Sequence, residues 1–251
     1  SLPDRFGTAL IEEWLARQGR RSESFSAIER LCYTGSRGMG ALEYVPAIGP
    51  HPLPDEPLQV ERLVALASEV LRNRDNLRAT LADAGRAEAL QQILRVGTSA
   101  GGARAKAVIA WNPKTNEIRS GQVRTAKGFE YWLLKFDGVD DNKDKELADP
   151  LGYGAIEYAY YHMARDCGIA MSDCRLLEEG GRRHFMTRRF DRLPDGDKLH
   201  LQSLGAMAHL DYNQAGAHGY EQAYAVIRRL GLSAAPAAEQ FRRKVFKVVA
   251  R

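Results

Sequence analysis

The sequence predicts an α+β chain: a helical start, a central antiparallel sheet and a helical end. Three observations predict it. Short apolar and aromatic runs between residues 105 and 136 are separated by turn residues, as strands are. One amphipathic stretch of helical spacing follows them, and two further strand-like runs follow that. From Leu204 onward the pattern is mostly helical.

Taken in order, residues 5–18 read as an amphipathic helix with Phe6, Leu10, Ile11, Trp14 and Leu15 on one face. Phe25 to Leu31 is a second short helix, and Ala41 to Val45 a strand. Pro50, Pro52, Pro54 and Pro57 mark a boundary. Val60, Leu63, Val64, Ala67, Val70 and Leu71 form the stripe of a further helix. Residues 105–111 are a strand, turned back at Asn112-Pro113-Lys114 into a partner from Glu117 to Val123. Phe129 to Phe136 is a third strand. After the polar loop Asp137–Asp149 comes a helix over about 151–166, with Ile156, Tyr160, Met163 and Cys167 as its apolar stripe. Strands at 174–177 and 184–189 are joined by a turn at Gly180-Gly181. No internal repeat or low-complexity tract interrupts this order.

The chemistry concentrates at residues 96–106, Val-Gly-Thr-Ser-Ala-Gly-Gly-Ala-Arg-Ala-Lys. Glycines lack a Cβ, so their backbone N–H groups can approach phosphate oxygens closely. A P-loop would carry Gly-Lys-Ser/Thr and lead into a helix. Here the loop leads into a strand, which points to the protein-kinase type of phosphate cover. A kinase then needs a lysine on a following strand to hold the phosphates, and a glutamate on the next helix to fix that lysine. Lys135 and Glu157 stand in those places. Three strands, a helix and two strands is also the element order of a kinase small lobe leading into its hinge.

These residues belong to a longer pattern. Leu2-Pro3-Asp4, Thr34-Gly35-Ser36-Arg37-Gly38-Met39-Gly40-Ala41-Leu42, Ser99 to Lys106, Leu134-Lys135-Phe136, Glu157-Tyr158 and Arg188-Arg189-Phe190-Asp191-Arg192 together resemble the HipA family of bacterial toxin kinases. The resemblance implies a HipA-like, protein-kinase-like fold. Residues 1–50 would be the remainder of an N-terminal subdomain, 51–95 a helical connector, 96–190 the small lobe and 191–251 the start of a helical large lobe. It implies a Ser/Thr protein kinase of a toxin–antitoxin system, using ATP and Mg²⁺ on a target such as an aminoacyl-tRNA synthetase. The implied partner is a HipB-like helix-turn-helix antitoxin, through which operator DNA is reached indirectly.

The same resemblance implies the nucleotide-binding residues. Ser99, Ala100, Gly101, Gly102, Ala103, Arg104 and Lys106 would line the phosphates, with Lys135 and Glu157 behind them. Arg188, Arg189 and Phe190 would form the hinge beside adenine, and Asp191 would reach the ribose. Ser99 aligns with a serine that such kinases phosphorylate on themselves, a regulatory site. The family's catalytic Asp with its His-x-Lys-Asn run, and its later Mg²⁺-binding Asp, are not found in the sequence. The catalytic base and metal ligands are therefore expected beyond Arg251, and residues 1–251 alone are expected to be inactive. The alternative is a non-catalytic protein whose N-terminal helices bind an antitoxin–operator complex.

Composition narrows the remaining classes. The chain has 251 residues, 44% of them hydrophobic, enough for a substantial core. No run of about 18 apolar residues suggests a membrane span. Charges at Asp4, Arg5, Glu12 and Glu13 break any signal-peptide core. The odd cysteine count, Cys32, Cys167 and Cys174, suits a reducing cytoplasm. A net charge of +4 is mildly basic, and its Arg doublets read as solvated faces rather than a nucleic-acid surface. His162, Cys167, Cys174 and His184 match no zinc-ligand spacing, and no third residue orients a Cys–His nucleophile.

Overall fold

The computed structural model describes residues 2–3, 5–51, 57–72, 92–97, 104–139, 151–211, 214 and 216–250. The expected glycine loop, 98–103, lies outside them, as does most of the polar loop after Val139. The chain divides into two units, residues 1–159 with 172–200, and residues 160–171 with 201–251.

The first unit is built on a five-stranded antiparallel sheet in the order β2-β1-β3-β5-β4. Its strands are β1 (Lys106–Trp111), β2 (Ile118–Ser120), β3 (Glu130–Lys135), β4 (Cys174–Glu179) and β5 (Arg182–Arg188). The β4–β5 hairpin turns at Gly180 and Gly181, with φ of 57° and 71°. Two successive left-handed residues give a primed turn whose twist matches the strands, so glycine is the residue that fits.

Strand alternation sends Ala107, Ile109, Trp111, Trp132, Leu134, Phe136, Leu177 and Met186 to one face of the sheet, where they are buried. Helices α1 (Arg5–Arg17) and α3 (Val60–Arg72) complete that core with Phe6, Leu10, Leu63, Val64 and Ala67. The helical residues 92–96 add Ile93 and Leu94. A satellite core joins α1 to α2 (Ala27–Thr34) through Ile11, Leu15, Phe25 and Tyr33. Helix α2 starts at a capping box: Ser26 Oγ accepts from the Glu29 N–H, and the Glu29 carboxylate accepts from the Ser26 N–H.

Two sequence expectations are corrected here. Residues 41–45 form no strand. Among the described residues no strand pairs with their backbone; the Tyr44 N–H donates to Gly35 O instead. Helix α4 (Tyr153–Asp166) also buries a different face from the expected stripe. Ile156, Tyr160 and Met163 are exposed, as is Cys167 just beyond the helix, while Gly154, Tyr161 and Ala164 are buried. Helical spacing runs through both sets. The first turn decides between them, because a Cβ on Gly154 would stand 1.9 Å from Arg183 O. Only a glycine lets α4 start so close to β5.

The second unit contains the end of α4, α5 (Leu204–Ala208), α6 (Tyr220–Arg229) and α7 (Ala234–Val249). Glu239 of α7 accepts from the Ala170 N–H at 3.0 Å, and Arg243 donates to Ala170 O. Among the described residues no helix is long and apolar enough to cross a membrane.

Candidate functional site

The second face of the sheet carries Lys106, Val108 and Ala110 on β1, Tyr131, Leu133 and Lys135 on β3, and Phe185 and Thr187 on β5. Lys106 and Lys135 are direct cross-strand partners. Like charges placed opposite each other are unfavourable unless an anion balances them. Glu157 of α4 supplies one carboxylate: Lys135 Nζ donates to its Oε2 at 2.7 Å. The Lys135 ammonium also lies 5.7 Å from the Phe185 ring centroid.

The other Glu157 oxygen is not idle. Oε1 lies 3.6 Å from a guanidinium nitrogen of Arg104. The Arg104 guanidinium carbon sits 3.9 Å from the centroid of the Tyr153 ring. The carboxylate thus joins the strand that carries Lys135 to the residue that follows the glycine-rich segment. Neither partner of the short pair is buried; the Lys135 and Glu157 side chains are 33% and 25% exposed.

Asp137, two residues after Lys135, positions this helix. Its carboxylate accepts from the Gly152 N–H at 2.9 Å and the Gly154 N–H at 3.4 Å. These N–H groups stand at the helix start, where no intrahelical carbonyl reaches them. The strand that bears the lysine therefore also anchors the helix that bears the glutamate. The Asp137 N–H in turn donates to Nδ1 of His184 at 2.9 Å. Burial holds His184 down at about 4, so it is neutral at pH 7. Asp137, Gly154 and Tyr153 went unread in the sequence. The signal was a Gly-Tyr-Gly run at a helix start, with no carboxylate next to it to suggest a cap.

The expected hinge residues separate into different roles. The backbone N–H groups of Arg188 and Arg189 donate to Asp173 O at 2.8 Å and Tyr131 O at 2.9 Å. Both donors are spent on neighbouring backbone carbonyls. The Phe190 side chain is exposed. Asp191, expected at the ribose, has a fully buried carboxylate. Arg189 donates to it twice, at 2.8 and 2.6 Å, and Arg192 once at 3.0 Å. The Gly40 N–H adds a fourth bond at 2.7 Å. Burial opposes ionisation, but these bonds and charges outweigh it and hold Asp191 below the usual carboxylate range. Arg192 also donates to Gly38 O and Gly40 O. The Arg-Gly-Met-Gly and Arg-Phe-Asp-Arg runs therefore recognise each other, 150 residues apart in sequence.

A polar cavity of about 410 Å³ lies in the same unit, walled by Gln122, Arg124, Tyr131, Arg192, Asp197 and Lys198 among others. Its charges are largely satisfied by one another, Arg124 by Asp197 and Lys198 by Glu43. Ser99, Ala100, Gly101, Gly102 and Ala103 lie outside the described residues. The segment leading into them is helical at 92–96, and the strand that follows them is β1. Among the described residues no group of three or more His, Cys, Asp or Glu side chains is placed to hold a metal ion.

No curated protein and no solved structure gives a significant match to the chain. A family model does: residues 98–251 match the HipA-like C-terminal domain. That match covers more than half of the chain and takes in Arg104, Lys106, Lys135, Glu157 and the 188–192 run, so the chain belongs to the HipA-like C-terminal domain family.

Proposed function

We propose that this chain holds ATP as the nucleotide-binding part of a Ser/Thr protein kinase of the toxin–antitoxin type. The observation that carries the reading is the 2.7 Å pair between Lys135 and Glu157, half-open at the end of the central strand β3, with Glu157 also facing Arg104, which follows the glycine-rich segment in sequence. Lys135 would bind phosphate oxygens, and Glu157 would keep its ammonium at the strand end. Lys106, opposite Lys135, would add a second positive charge. Phosphoryl transfer depends mainly on such positioning and charge neutralisation.

Among the described residues no three His, Cys, Asp or Glu side chains are grouped to hold a metal ion. Nor does residues 1–251 contain an Asp followed by a His-x-Lys-Asn run. On this reading the chain as given binds nucleotide and transfers no phosphate; base and metal ligands come from elsewhere. The protein target, such as an aminoacyl-tRNA synthetase, and a HipB-like antitoxin with its operator DNA belong to the same proposal. The cytoplasm is its expected location. The alternative, a binding module acting through the N-terminal helices, draws little from the structure. The apolar residues of α1 are spent on the two cores of its own unit.

Titration with ATP tests the reading. Wild type should bind saturably and Lys135→Met should bind about tenfold more weakly or worse, because a charge-assisted contact is lost while the apolar stem stays. Equal affinity in the two proteins would remove the assigned role.

A further inference from the structure

We propose that Asp137 is a positioning residue for the Lys135 site: buried beneath it, this carboxylate sets the distance between Lys135 and Glu157. The inference rests on the nucleotide reading of that pair and goes beyond it by naming what makes the pair.

The pair does not place helix α4 by itself. Lys135 and Glu157 are 33% and 25% exposed, and an ion pair so open to water contributes little. The helix start has no cap of its own either. The residue before it is Gly152, which has no side chain to accept from the free N–H groups of the first turn. Gly154 brings that turn against Arg183 O, again with no side chain to grip it. Asp137 meets the need from the end of β3. It is 3% exposed, and its carboxylate accepts from the Gly152 N–H at 2.9 Å and from the Gly154 and Arg183 N–H groups at 3.4 Å each. Hydrogen bonds to an ionised acceptor are roughly twice as strong as neutral ones.

The main chain of Asp137 is held as firmly. Its N–H donates to His184 Nδ1 at 2.9 Å, and its carbonyl accepts from Arg182 at 3.0 Å, both on β5. The path from Lys135 to Glu157 therefore runs along two residues of strand and less than one turn of helix, with Asp137 at the corner. Glu157 rises only about 4.5 Å beyond Gly154 along the helix. A shift of the helix start is passed to its carboxylate almost undiminished, and a bond of 2.7 Å does not survive a shift of about 1 Å.

The test has two readouts on the full chain. One is a zero-length carbodiimide cross-link between Lys135 and Glu157, quantified by mass spectrometry with Glu157→Gln as the blank. The other is titration with ATP. Asp137→Ala should lower the cross-link yield and weaken ATP binding about fivefold, no more than Glu157→Gln does. Combined with Glu157→Gln, it should weaken binding no further, because Asp137 acts through Glu157. Asp137→Asn keeps one acceptor oxygen without the charge, and should fall about twofold short of wild type in both readouts.

An unchanged cross-link in Asp137→Ala, beside weakened ATP binding in Glu157→Gln, would overturn the positioning role and leave the nucleotide reading standing. Additive losses in the double variant would also overturn it, in favour of a general structural role. If Asp137→Ala does not fold, Asp137→Asn decides alone, and values equal to wild type would overturn the proposal. A cross-link that falls in Asp137→Ala, in a protein whose wild type binds no ATP, would keep the positioning role and sink the nucleotide reading.

Discussion

Two carboxylates in the same unit are each gripped by two cations, yet their settings are opposite. Asp191 is fully buried between Arg189 and Arg192, whose side chains are 1% and 3% exposed. Glu157 sits between Lys135 and Arg104, and all three are partly open to water. The Asp191 cluster adds the Gly40 N–H, and its Arg192 also takes two backbone carbonyls. It ties the segment around Gly40 to the end of β5. The Glu157 cluster has one short bond, to Lys135 at 2.7 Å, and one long pair, to Arg104 at 3.6 Å. Burial marks the Asp191 cluster; exposure and unequal sharing mark the cluster proposed to hold the nucleotide.

The comparison breaks first at Asp191. Asp191→Ala leaves two arginines buried without their carboxylate, and should cost about 3–5 kcal/mol in urea unfolding or prevent folding. Glu157→Ala, a half-open site, should cost less than about 1 kcal/mol. Similar losses in the two variants would erase the distinction.

A second buried group sharpens it through pH. His184 is held at about 4 by burial, against an ordinary value of 6.5. Between those values the unfolded chain binds a proton that the folded chain does not. The stability from neutral His184 is therefore full above pH 6.5 and declines as pH falls toward 4, by roughly 3 kcal/mol in all. Unfolding curves for wild type and His184→Asn should converge in stability across that window as acid is added. Parallel pH profiles would show that His184 does not titrate this way.

Ser99 offers a smaller effect, from a position close in sequence to the open cluster's Arg104. A phosphate there would add roughly −1.5 to −2 charges at pH 7, close in sequence to Arg104 and Lys106. Ser99→Asp should weaken ATP binding severalfold, about 1 kcal/mol. Equal nucleotide titrations would mean that Ser99 is no switch.

Much of the open cluster was legible because it lies on regular elements. β3 and α4 both form where the sequence patterns put them, so Lys135 and Glu157 meet as spacing suggested. The inward face of α4 was not legible. It is made of Gly154, Tyr161 and Ala164 with Glu157, and a hydrophobic pattern gives little weight to a glycine, an alanine and a charge. The exposed Ile156, Tyr160 and Met163 gave the stronger periodic signal and the wrong face. The setting of Asp191 was not legible for another reason. Its partner Gly40 is remote in sequence, and no local pattern shows that two runs of Arg and Gly close on one carboxylate. Residues 41–45 are mostly apolar, as a short strand would be, but a strand needs a neighbour, and that is a tertiary fact.

The central claim is that the open cluster, and not the closed one, holds a nucleotide. Isothermal titration of ATP into wild type and Lys135→Met, with thermal midpoints measured on the same samples, tests it most directly. The account predicts saturable binding to wild type, at least about tenfold weaker in Lys135→Met, with midpoints within a few degrees. Equal ATP affinity in both proteins, or a large fall in midpoint on losing the Lys135 charge, would contradict it.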